Sequence, residues 1–210
     1  MENTPTKSSP VMPQLIILTL FWVGLQLVAT WVKDDFSHVS QYISEINATG
    51  STGAGAFGWV GFIPLAMISF GVLLTARPHL RVQGISHLGW ALLFFYPVAY
   101  LGAAIAPCDL GCPTDGSSSQ ALHNIISIVS YFGFALGTLL LTFTPRTTWP
   151  VRCAFVLLSV IIALGFVLMI NPELAEVRGA MQRYVELAQL VVFWLLLWLK
   201  PAEADGGSDE

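Results

Sequence analysis

The chain has 210 residues, of which 55% are hydrophobic and only 10% charged, with a formal net charge of −4. Soluble domains carry about 25% charged residues, so so few charges cannot cover a water-facing surface, and lipid is the implied solvent. No basic patch of the kind that binds nucleic acid is present, and nucleic acid is excluded as a partner.

Six apolar runs approach the roughly 20 residues that cross a bilayer: Leu15–Val32, Ala56–Ala76, Gly84–Ala106, Ala121–Phe143, Val151–Ile170 and Tyr184–Leu199. They lack the alternation of barrel strands, and open strands would leave backbone groups unsatisfied in lipid. The expected fold is therefore all-α, a polytopic membrane bundle of about six helices. Residues 1–13 read as a disordered N-terminus, 14–200 as the transmembrane domain and 201–210 as a disordered acidic tail. The first run follows a single lysine, Lys7, and has no small-x-small cleavage site, so it reads as a retained helix rather than a signal peptide. With the N-terminus inside, the inner segments hold Lys7, Arg77, Arg81, Arg146, Arg152 and Lys200, and the outer ones Lys33, Arg178 and Arg183. This bias predicts both termini in the cytoplasm and a multi-pass protein of the plasma or inner membrane.

After the first run, Asp34–Ile46 places Phe36, Val39, Ile43 and Ile46 at helical spacing opposite Ser37, Ser40, Gln41 and Ser44. The pattern predicts a short amphipathic outer helix in the interface or over a pocket. Asn47–Thr49 fits a glycosylation sequon, which matters only in a eukaryotic secretory pathway. Pro64 and Pro97 fall inside spans, where a missing N–H kinks the helix. Gly133 and Gly137 permit close helix approach, read as packing within the chain in preference to dimerisation.

The link Ala106–Asn124 is polar and holds Cys108, Asp109 and Cys112. On an oxidising side the two cysteines form a disulfide. A zinc site is disfavoured because C-x3-C lacks a second pair and Cys153 lies toward the opposite end, where it reads as a small core residue. On the fourth run His123, Ser127, Ser130 and Tyr131 share one face, and a polar stripe in a membrane helix faces the interior. His123 is expected to bond the preceding link, with Asp109 or Asp115 as partners, or to act as base, metal ligand or pH switch. Asn171-Pro172-Glu173 is a helix start. Beyond it, Gln182, Glu186 and Gln189 form a stripe, and Arg183 and Glu186 are spaced to pair at i, i+3. Gln26, Tyr96 and Tyr100 are further candidates for the same cavity. His79 and His87 read as interfacial.

The order I-S-E-I-N-A, P-C-D-L-G-C-P, a histidine opening the fourth run, then G-A-M-Q-R-Y-V-E-L-A resembles domain-of-unknown-function family 998 (DUF998) across Leu15 to Leu199. The matching positions are Ser44, Glu45, Cys108, Asp109, Cys112, His123, Arg183 and Glu186. The resemblance implies a small multi-helix membrane fold with an outer polar cluster, and it brings no activity with it. The six-helix layout is more distantly similar to the Frag/DRAM/Sfk group, which is linked to lipid handling.

Three functions compete. The first is an outward pocket bordered by Ser44, Glu45, Asp109, His123, Ser127, Arg183, Glu186 and Gln189, binding a lipid headgroup or small amphiphile. The second is a metal-dependent lipid hydrolase, with His123, Asp109 and His38 as weak metal candidates and Glu45 beside them. It is weakened by the absence of H-E-x-x-H, H-x-x-x-H and G-x-S-x-G patterns. The third is a proton-coupled transporter using His123 and Glu186, for which a homo-oligomer would be required. The sequence carries no cofactor signature.

Overall fold

The computed structural model describes residues 10–199, which leaves most of the two terminal segments, 1–9 and 200–210, outside the described residues. Seven α-helices build six spans: α1 Val11–Val32, α2 Ile63–Ala76, α3 Ile85–Leu92, α4 Phe95–Ile105, α5 Ser118–Leu140, α6 Trp149–Met169 and α7 Arg178–Leu195. No strand occurs among the described residues. Short helical turns extend the spans, giving six helical segments long and apolar enough to cross a membrane. The protein is thus a multi-pass membrane protein.

Its outer surface agrees with that solvent. Leu20, Leu27 and Val28 of α1 point outward, as do Leu157, Val160 and Leu164 of α6. Trp31 and Trp59 are exposed at one end of the bundle and Trp149 and Trp198 at the other, the positions of the two interfacial aromatic belts.

Helix ends and breaks follow from local chemistry. α1 begins at Val11, inside the stretch expected to be a tail, because a proline in a first turn costs no intrahelical bond, and Pro13 sits there. Pro64 cannot donate to Val60, and the turn before α2, Gly58–Phe62, is π-helical. Pro97 cannot donate to Leu93, and the third span breaks there into α3 and α4. Gly133 and Gly137 of α5 face α3 and α4. An added Cβ at Gly137 would lie 2.8 Å from Leu92 Cβ and 2.9 Å from the Gly89 carbonyl oxygen, and one at Gly133 would strike the Phe95 ring. Both glycines therefore serve packing within the chain.

Two expectations fail. Asp34–Ile46 is not an amphipathic helix. It is a chain of turns ending in one 3-10 turn, Ser44–Asn47, and it folds into the bundle mouth with Ile43 and Ile46 fully buried. Its polar residues spend their hydrogen bonds on local turns, as when Ser37 Oγ accepts from the Ser40 N–H and Gln41 Oε1 from the Ser37 N–H, competing with a helical ladder. Cys153 is exposed, not a core residue, because α6 leaves most of its circumference to lipid.

The connections 33–57, 106–117 and 170–177 gather at one mouth, where the Thr49 N–H donates to the Cys108 carbonyl and the Ala180 N–H to that of Val39. Gly137→Val should lower stability by about 1–3 kcal/mol through overpacking, read as a fall in melting temperature in detergent. Gly24→Ala, with nothing within 4 Å of the new Cβ, should leave it unchanged.

Candidate functional site

The mouth is held by side chains working on backbone. In the link 106–117 the Asp109 carboxylate accepts from both the N–H and the hydroxyl of Ser117, each at 2.8 Å, and Ser117 Oγ caps α5 by accepting from Gln120. These two donors hold the Asp109 carboxyl below its usual range. Gln120 Oε1 accepts from the Asp109 N–H, and His123 Nδ1 contacts the Ala106 carbonyl at 2.9 Å. The partner of His123 is thus a backbone carbonyl, not Asp109 or Asp115. Cys108 and Cys112 form a disulfide with Cα atoms 5.1 Å apart.

The segment 33–57 is pinned onto α7. An added Cβ at Gly179 would collide with the backbone of Gln41, so only glycine allows this approach. Arg183 Nη1 donates to the carbonyls of His38, Gln41 and Gly179 at 2.8–2.9 Å. No Arg183–Glu186 pair forms, because the guanidinium turns toward these carbonyls instead. The cation that pairs at this mouth is Arg178, whose Nη2 lies 3.2 Å from Glu45 Oε1. Arg178 also donates to the Ser40 and Gly111 carbonyls and lies over the Tyr42 ring. One residue at the start of α7 thereby ties together the 33–57 and 106–117 connections. Asn47, within the sequon, is buried, and its amide serves Gly55, Gly58 and Ala103. Lys33 is buried beside Ser51 and Phe57. Burial draws its ammonium below the usual range, opposed by Glu45.

Deeper in the span, Glu186 is 4% exposed and both its oxygens are engaged. Tyr100 donates to Oε2 at 2.9 Å and Tyr131 to Oε1 at 2.7 Å. Trp22 Nε1 donates to Tyr100, Gln182 Nε2 donates to Tyr131, and Gln182 Oε1 accepts from the Ile43 N–H. This network joins α1, α4, α5, α7 and the 33–57 segment. Buried polar groups are tolerated when so satisfied.

Two adjoining cavities open here. A chamber of about 30 Å³, room for one or two waters, is bordered by Tyr100, Glu186 and Phe62. A vestibule of about 620 Å³, within the range of ligand pockets, lies between α5, α6 and the 170–177 connection. Ser44, His123, Ser127, Tyr131 and Gln182 border both. The vestibule's rim includes Ile128 and Ile170, which are 46% and 49% exposed on the lipid-facing surface. Arg178, Asn124 and Cys112 supply polar wall, and Phe166 and Met169 apolar wall.

Of the residues singled out from sequence, Ser44, Tyr100, His123, Ser127, Tyr131, Gln182 and Glu186 line these cavities, and Tyr96 lines neither. Glu45, Asp109 and Arg183 hold the surrounding backbone without lining either cavity. Gln189 lies a turn deeper, buried and outside both, as does Gln26 of α1. His38 bonds Thr30 of α1, and burial and the nearby Arg183 charge lower its imidazole from the usual range. His38, Asp109 and Glu45 thus each serve other partners, and the metal set proposed with His123 does not assemble. Arg178 was overlooked. It stands at the first residue of α7, five residues before Arg183, and the sequence spacing pointed only to a pair of Arg183 with Glu186.

A family model described as "Protein of unknown function (DUF998)" matches residues 15–199. The chain belongs to this family. No curated protein and no solved structure matches the chain.

Tyr131→Phe removes one hydroxyl donor from the Glu186 carboxylate and the acceptor for Gln182. It should cost about 1–3 kcal/mol, as stripping a partner from a buried polar group does, and lower the melting temperature. Glu186→Gln in the Tyr131→Phe background should recover part of that loss, since a neutral amide needs less compensation.

Proposed function

We propose that this member of the DUF998 family binds an amphiphile, a lipid headgroup with part of its chain, in the vestibule between α5 and α6. The observation that carries this reading is a single cavity with two kinds of wall. Its rim at Ile128 and Ile170 is open to the hydrocarbon, and its interior presents His123, Ser127, Asn124 and Gln182. An amphiphile entering sideways from the bilayer keeps its chain in apolar surroundings while its headgroup trades water for these groups. The charges of Arg178 and Glu45 offset each other, which favours a zwitterionic or hydrogen-bonding headgroup over a strongly charged one. α6 supports such an entry route, with only 22% of its most apolar window buried in the bundle.

In this reading the mouth with the disulfide faces out of the cell and both termini face the cytoplasm of a plasma or inner-membrane protein. The excess of Lys and Arg on the opposite connections and the disulfide support that orientation. Sensing, scaffolding or moving the bound lipid are all compatible with the site.

Native mass spectrometry of the protein in mild detergent tests the reading. Wild type should retain a lipid adduct that survives mild activation. Ser127→Leu, which fills the vestibule floor, and Ile128→Glu, which charges its rim, should each reduce the adduct severalfold while leaving elution and helicity intact. A wild-type protein that retains no lipid, or variants that retain it equally, would overturn the assignment.

A further inference from the structure

The disulfide lies against a third potential ligand. Cys108 Sγ, Cys112 Sγ and a ring nitrogen of His123 all lie within 4.8 Å of one another. We propose that reducing the Cys108–Cys112 disulfide creates a site for a divalent, thiolate-binding cation of the zinc class, held by two thiolates and the His123 imidazole at the edge of the vestibule. C-x3-C alone lacks the ligands for such a site. The fold supplies the missing one from the second turn of α5.

Three features favour ligation. First, Nδ1 of His123 faces the Ala106 carbonyl. A carbonyl only accepts, so the proton resides on Nδ1 and Nε2 carries the free lone pair, the arrangement in which an outer-shell carbonyl orients a metal-binding histidine. Second, ligand atoms of a tetrahedral zinc site stand about 3.3–3.8 Å apart, from bond lengths of about 2.0–2.3 Å. Once the two sulfurs have separated, reaching that spacing from within 4.8 Å asks for a closing of at most about 1–1.5 Å. Third, two thiolates and a neutral imidazole around a divalent cation sum to zero charge, which suits a largely buried site better than a net charge would. Ser44 Oγ lies 3.4 Å from Cys112 Sγ, so a hydroxyl is at hand for the fourth position. Cys112 and His123 both line the vestibule, which gives the cation a path in.

The chemistry balances without a further component. A dithiol reductant delivers two electrons and two protons to the disulfide and itself becomes a disulfide. The cation then displaces the two thiol protons. The oxidised protein has no thiolates at this position, so the site exists in one redox state only. This inference stands apart from the lipid reading, since neither depends on the other's ligand.

The test uses full-length protein in a Cys153→Ser background, which removes the exposed third thiol. Oxidised and dithiothreitol-reduced samples, desalted under argon, are titrated with Zn²⁺ and analysed for metal, and with Co²⁺ for thiolate-to-metal absorption in the near ultraviolet. Reduced protein should take up one equivalent and oxidised protein none. Cys108→Ser/Cys112→Ser should abolish uptake. His123→Ala should weaken it by at least about tenfold, the low end of what even an outer-shell change costs. The proposal is overturned if reduced protein binds no zinc, or if oxidised protein binds as much. Equal binding by His123→Ala would equally remove the histidine from the site. The oxidised–reduced comparison needs no variant, so it decides the matter even if a substitution disturbs folding.

Discussion

Everything at the mouth of this bundle depends on the burial of one carboxylate. Glu186 sits inside a span, shielded from bulk water, and an unpartnered ionisable group there is expensive. Its two oxygens are satisfied by phenol hydroxyls from α4 and α5. That requirement fixes how far those helices stand from α7. Trp22 and Gln182 then complete the hydrogen bonding of the two tyrosines. Gln182 in turn accepts from the backbone of Ile43, so the position of an external segment follows from the chemistry of an internal acid.

The same mouth is rigid on one side and open on the other. Over α7, the missing side chain at Gly179 lets the 33–57 segment approach, and the Arg183 guanidinium fastens it by the carbonyls of His38 and Gln41. Arg178 adds the ion pair with Glu45 and a bond to the Gly111 carbonyl of the disulfide link. On the α5–α6 side the contacts are chiefly apolar, with Tyr131 stacked on Phe166 and the Ser159 hydroxyl bonded to the Ala135 carbonyl. The vestibule lies on this second side. This cavity lies beside α6, the span with the smallest buried share of its apolar window, and is braced by the hydrogen-bonded mouth.

Single elements show where sequence patterns carry and where they mislead. The glycines at 133 and 137 announced close approach, and the partner they approach, α3 and α4, lies within the chain. The hydrophobic spacing of 34–46 announced a helix, yet Ile43 and Ile46 are buried from within a turn. A buried turn and one face of a helix produce similar spacing over so few residues, and Ser and Gln side chains tip the balance by bonding nearby backbone. The polar stripe on α5 does face the interior. Its histidine finds a carbonyl because the link folds back over the first turns of α5, bringing Ala106 and not Asp109 within reach.

The number, position and helical nature of the spans were set by the sequence alone, because the cost of apolar surface in water and of unpaired backbone in lipid is local and additive along the chain. Polar residues at the mouth were likewise visible as departures from that apolar background. Which of them meet was decided only by tertiary structure. Arg178 and Arg183 are both arginines on one helix within two turns, and the sequence offers each the same acids. The backbone approach at Gly179 gives Arg183 the carbonyls of His38 and Gln41 and leaves Glu45 to Arg178, a choice made by distances across 130 or more residues of chain. A hydrogen bond depends on tenths of an ångström, which composition and periodicity do not encode.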